Sequence, residues 1–113
     1  MENILNYESK RNIIYQKIFE STNLKRSDIH ILYFLQANKK NEISLKAINE
    51  ILSYIPPAEV STSISKLYKK GYLNKTRPPY DERTLIINEI DYDKIAYTIE
   101  LCKNIFKSQI SAT

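Results

Sequence analysis

The stretch "RPPYDERTLII", Arg77 to Ile87, gathers two guanidiniums and two carboxylates, Arg77, Asp81, Glu82 and Arg83, within seven positions. Acids beside arginines pair ions or grip anions, whereas acid–base or nucleophilic catalysis needs a base set against a nucleophile. One histidine, His30, and one cysteine, Cys102, leave no such pair and no Cys/His metal set, and one glycine excludes a Gly-rich phosphate loop. His30 reads as a surface or boundary residue and Cys102 as a small core or interface hydrophobe. Asp91 and Asp93 open a helix, where the macrodipole is sufficient reason for acids. No catalytic residue, cofactor or metal is expected. Between Val60 and Tyr80 lie five cations, Lys66, Lys69, Lys70, Lys75 and Arg77, and no acid. That stripe is a polyanion footprint.

The elements that must carry these side chains are mostly helical. At 113 residues the chain is expected to be a single domain over 1–113, and 42% apolar with 27% charged residues is a soluble globular composition. No apolar run reaches the length of a membrane span, the N-terminus has no leader pattern, and the lone cysteine agrees with a reducing cytosol. The chain is therefore expected to be cytoplasmic, and its wealth of Ile, Lys, Asn and Tyr suggests AT-rich bacterial coding DNA. Apolar periodicity predicts a first helix over about 4–21. Ser27 is expected to cap a second helix with Asp28 in its first turn. Ile43 forms a short strand, and Ser44 caps a third helix holding Leu45, Ile48, Ile51, Leu52 and Ile55. Pro56-Pro57 ends that helix and starts a fourth, which faces Val60, Ile64 and Leu67 inward and stops at Gly71. Tyr72 to Arg77 and Arg83 to Asn88 read as a two-stranded hairpin. Asp91 caps a last helix over about 91–110, whose two apolar stripes, including Tyr97 and Phe106, make a face wide enough to meet a second subunit.

This order is that of a winged helix-turn-helix: mainly α with a small β-hairpin (α+β), five to six helices plus a two-stranded wing. The helix-turn-helix covers about 44–70 and the wing about 72–88. The second helix of such a pair enters the major groove of double-stranded DNA. Ser61, Thr62, Ser63, Ser65, Lys66 and Lys69 are its candidate contacts, with hydroxyls permitting close approach and lysines neutralising phosphate. Without Arg, Asn or Gln on that face, discrimination leans on the shape of AT-rich DNA. At the wing, Arg83 suits a narrow minor groove, with Lys75 and Arg77 on phosphates. Asp81 either holds the Arg83 guanidinium or caps backbone N–H groups of the turn. A protein-interaction module that modulates another regulator or polymerase is the alternative, favoured by Glu59 and the lack of base-reading side chains.

"LYKKGYLNKTRPPYDERTLII", Leu67 to Ile87, and "ANKKNEISLKAINEIL" resemble the staphylococcal accessory regulator (Sar) family within the MarR-like winged-helix transcription regulators. The resemblance implies virulence regulation and DNA contacts by Arg77 and Arg83. It places Asp81 and Glu82 in the same wing motif and makes the first and last helices a homodimer interface. It implies no redox switch, because Cys102 lies in the last helix and oxidation-sensing members carry theirs in the first. The small-molecule effector, if any, is not readable from the sequence.

Overall fold

The computed structural model describes residues 2–81 and 83–111, and the side chains of 8–81 and 83–109. Its helices are α1 (Glu2–Thr22), α2 (Arg26–Asn38), α3 (Leu45–Ile51), α4 (Pro57–Lys69) and α5 (Tyr92–Ser111); its strands are β1 (Ile43–Ser44), β2 (Asn74–Thr76) and β3 (Ile86–Asn88). The order is that of a winged helix-turn-helix, mainly helical as expected. Glu82 and the side chains of Tyr7 and Ile110 lie outside the described residues.

The local signals act where their chemistry allows. Ser44 accepts a hydrogen bond from the Ala47 N–H at 3.1 Å, so it caps α3. Pro56 is the N-cap of α4 and Pro57 its first residue, where a missing N–H costs nothing. At the other end of α4 the Tyr72 N–H bonds Leu67 O and the Gly71 N–H bonds Tyr68 O, a Schellman closure with Gly71 at φ +85°. Lys94 Nζ donates to the freed carbonyl of Lys70. Substituting Gly71 with alanine is expected to cost about 1–2 kcal/mol of stability, because a β-carbon disfavours positive φ. The added methyl meets only Lys94 Nζ at 3.2 Å, the movable end of a long chain, so backbone strain dominates. Urea unfolding of the two proteins measures the difference.

Three readings of the sequence are corrected. Helix α2 begins at Arg26 with Lys25, not Ser27, at its N-cap; Asp28 stands in the first turn as expected and accepts the Lys25 N–H on Oδ2 at 2.8 Å. The side chain of Ser27 turns inward instead. Helix α3 ends at Ile51, so Leu52 and Ile55 reach the core from a turn, while Ile51 is 55% exposed. The hairpin strands are shorter than expected, and the sheet has three strands in the order β1-β3-β2, all antiparallel. Ile43 and Lys75 both face Ile87 across the ladder. Tyr72 and Leu73, expected in a strand, are core residues that precede it.

Helices α2 and α4 pack on each other, as do α1 and α5, and α5 also meets α2. Ile31, Leu32, Val60, Ile64, Leu67, Ile87 and Ile95 are essentially inaccessible. Each such side chain contributes about 1.5–3 kcal/mol by leaving water. Cys102 is buried in this core, as expected, and burial raises its thiol pKa. Of the wide face expected on α5, Ile95 and Ile99 are buried, but Tyr97 and Phe106 stand 75% and 49% exposed.

Candidate nucleic-acid interface

The side chains of α4 divide by their place around the helix. Val60, Ser63, Ile64 and Leu67 face the interior. Ser61, Thr62 and Lys69 are exposed, and Ser65 and Lys66 are half-buried. Ser61, Thr62, Ser65, Lys66, Lys69 and Asn23 line an open groove of about 530 Å³. Thr62 donates its hydroxyl proton to Ala58 O at 3.0 Å, which leaves its oxygen free to accept from a ligand.

Two sequence-chosen contacts of α4 are engaged with α2. Ser63 is buried, and its hydroxyl bonds that of Ser27 at 3.0 Å, so it offers no surface to DNA. Lys66 donates to Asp28 Oδ2 at 2.9 Å, and its ammonium also lies 5.8 Å from the Phe19 ring centre. Its charge is largely neutralised by a buried carboxylate. Both residues therefore hold α4 to α2, and neither partner is close in sequence.

The wing is tied to α4 at its base. Lys75 donates to Ser65 Oγ at 3.1 Å and stands 5.3 Å over the Tyr68 ring, so helix and wing are joined by a side chain expected to reach phosphate. At the tip, the Arg83 N–H donates to Asp81 Oδ1 at 3.0 Å and the Thr84 hydroxyl donates to Asp81 Oδ2 at 2.6 Å. The Thr84 bond, with the Arg83 bond second, lowers the Asp81 pKa and keeps it ionised. Of the two roles open to Asp81, the structure shows backbone capping. Pro78 O accepts from the Asp81 N–H at 3.1 Å, which closes the turn without a glycine.

Arg77 and Arg83 share a second groove of about 530 Å³ with Lys46, Ser44, Asn49 and Glu50 of the α3 end. Leu45 N–H bonds Leu85 O at 2.8 Å and sets the wing beside that helix start. Sequence reading missed Lys46 because nothing local links it to the wing; only the β1–β3 pairing does. Among the described residues lining it, Lys46, Arg77 and Arg83 stand with one acid, Glu50, a balance suited to an anion such as a phosphodiester.

A family model described as "Transcriptional regulator SarA/Rot" matches residues 13–96. The chain belongs to the SarA/Rot family. The SarA/Rot match spans α2, α3, α4 and the whole wing, and so takes in every residue of both grooves. SarU of Staphylococcus aureus is 35% identical over 88 residues, which is 74% of this chain and 35% of SarU. The chain thus spans about a third of the length of that relative. Among solved structures, a mutant of S. aureus MepR bound to an oligodeoxyribonucleotide aligns with a TM-score of 0.69 at 18% identity, covering 96% of this chain and 75% of that one. A mutant of Escherichia coli MarR complexed with operator DNA aligns at 0.63 and 14% identity, covering 88% and 66%. These likenesses place the SarA/Rot chain in the MarR-like winged-helix fold. The SarA/Rot family is one of transcriptional regulators, not of enzymes. Among the described residues no helix is long and apolar enough to cross a membrane.

Proposed function

We propose that this chain is a DNA-binding transcription regulator that acts in the cytoplasm as a homodimer on AT-rich promoter DNA. The observation that carries the reading is the pair of cationic grooves, one on the outer face of α4 and one between the wing and α3, joined through Lys75. In it α4 meets the major groove with Ser61, Thr62, Ser65 and Lys69, while Arg77, Arg83 and Lys46 engage the backbone and minor groove beside it. Glu82, by the family pattern, belongs to the same tip.

Exposed apolar side chains on the terminal helices support the homodimer: Ile13 and Phe19 on α1, Tyr97 and Phe106 on α5. A hollow of about 600 Å³ between these helices is floored by Ile14, Ile18, Ile29, Tyr33 and Phe106. Apolar surface of this extent is what a subunit contact covers.

Lys46, Lys69 and Arg77 line the two grooves and are the residues set to meet phosphate, with Arg83 beside them for the minor groove. A dimer neutralising about six phosphates loses affinity with a log–log salt slope near −5. Fluorescence titration of a labelled AT-rich duplex across a salt series measures it, and a slope near zero sinks the reading. The second reading, a protein-interaction module, has one observation in its favour: the internal pairing of Lys66 and burial of Ser63 leave α4 less suited to DNA than its sequence suggests. It requires capture of a protein partner by a chain that fails the duplex titration.

A further inference from the structure

His30 is the one histidine of the chain, and it joins three elements. Tyr15 of α1 bonds its Nε2 at 3.1 Å, and Tyr54, in the turn between α3 and α4, bonds its Nδ1 at 2.7 Å. The rings support the bonds, with the Tyr54 ring edge-on to the imidazole at 5.6 Å and the Tyr15 ring tilted at 6.4 Å. Tyr54 is 60% exposed, so packing does little to hold it and the bond to His30 fixes its place. The turn it sits in runs straight into Pro56, at φ −57°, and Pro57. Two consecutive prolines transmit the direction of that turn stiffly to the first residues of α4.

We propose that His30 is a positioning residue for DNA binding, which through Tyr15 and Tyr54 sets the tilt of α4 against α1. The role rests on the reading that α4 enters DNA and α1 belongs to the dimer interface, for then the bridge relates the spacing of the two α4 helices to the dimer contact. A neutral imidazole has one donor and one acceptor, and each tyrosine hydroxyl can supply the complement, so the chain of bonds closes with either tautomer. Burial, then the charges of Arg26 and Arg11, lowers the His30 pKa and keeps the ring neutral at neutral pH. The groups facing it are Arg11 and Tyr15 from α1, Arg26 on α2 and Tyr54 from the turn. Protonation makes the ring a donor on both sides. One hydroxyl must then reverse, and a third cation joins Arg11, which is paired with Glu8, and Arg26, so the bridge between α1 and α2 weakens.

The direction with pH follows from the lowered pKa. The neutral bridge is fully formed above the ordinary histidine range and is lost as pH falls through the lowered value. The test uses the full chain and a labelled AT-rich duplex, with sedimentation for subunit state and thermal melting for the fold. His30→Phe keeps the ring volume and removes both bonds, and is expected to weaken duplex binding about tenfold. Tyr54→Phe weakens it by about threefold, and His30→Gln, which keeps a donor and an acceptor, stays within about threefold of wild type. The wild-type advantage over His30→Phe shrinks as pH drops from about 7.5 to 5.5. Two results overturn the proposal while leaving DNA binding intact: His30→Phe binding as wild type does, or Phe and Gln variants losing affinity equally, in step with melting temperature and without pH dependence. A wild-type chain that ignores the duplex removes the functional reading and this role with it.

Discussion

The unfolding free energy of an Asp28→Ala variant is expected to fall by about 2–3 kcal/mol, seen as a lower urea midpoint at unchanged slope. Asp28 is almost wholly buried, with only 3% of its side chain exposed, and one oxygen serves two donors, the Lys25 N–H and Lys66 Nζ. Alanine removes the cap of α2 and strands the ammonium of Lys66 at the contact with α4. A fully buried cation left so would cost more, but Lys66 keeps 25% of its side chain in contact with solvent and can partly turn outward. A second substitution separates the contributions: an Asp28→Asn protein keeps an acceptor for the cap and loses the ion pair, and should fall between wild type and Asp28→Ala. A loss below about 0.5 kcal/mol in Asp28→Ala, the size of a surface pair, would show that this contact does not hold the helix-turn-helix together.

Arg83→Ala is expected to weaken binding to an AT-rich duplex by about thirtyfold with fold and subunit state unchanged, the size of one well-placed guanidinium contact. The separation of effects has a structural cause. What the turn takes from Arg83 is its backbone N–H, which bonds Asp81 and survives the substitution. What is lost is a guanidinium in an exposed residue, facing the groove it shares with Arg77 and Lys46. Melting temperature and sedimentation should match the wild type, and unchanged duplex affinity would remove the wing from the interface.

The parts of this molecule that were legible in the sequence are those governed by near neighbours. The start of α4 at Pro57, the Gly71 stop, the Ser44 and Asp91 caps and the inward stripe of α4 each depend on residues a few positions apart. The Lys94 N–H does bond Asp91 Oδ1 at 3.0 Å, as the expected cap requires. What was not legible depends on distant partners. Ser63 and Lys66 read as surface positions because serine and lysine usually are; their partners lie 36 and 38 residues away in α2, beyond the reach of any local pattern. Ser27 was misassigned in the same way, since a serine before a helical run usually caps it and here its hydroxyl is taken by Ser63, whereas Asp28 stands in the first turn as expected. Lys46 escaped notice because its nearness to Arg77 and Arg83 is created by strand pairing. His30 read as an ordinary boundary residue, although two tyrosines from separate elements meet it.

Strand β3 is held on both edges, and Ile87 at its centre is fully buried, while Arg77 to Asp81 and Arg83 to Leu85 lie outside the ladder. The wing therefore has two parts held in different ways. Its root is part of the hydrophobic body; its tip is closed by the Asp81 carboxylate, the Thr84 hydroxyl and backbone hydrogen bonds, away from that body. Under the proposed DNA-binding role, exposed side chains of the tip can be exchanged to alter what the wing contacts while the buried root keeps the fold.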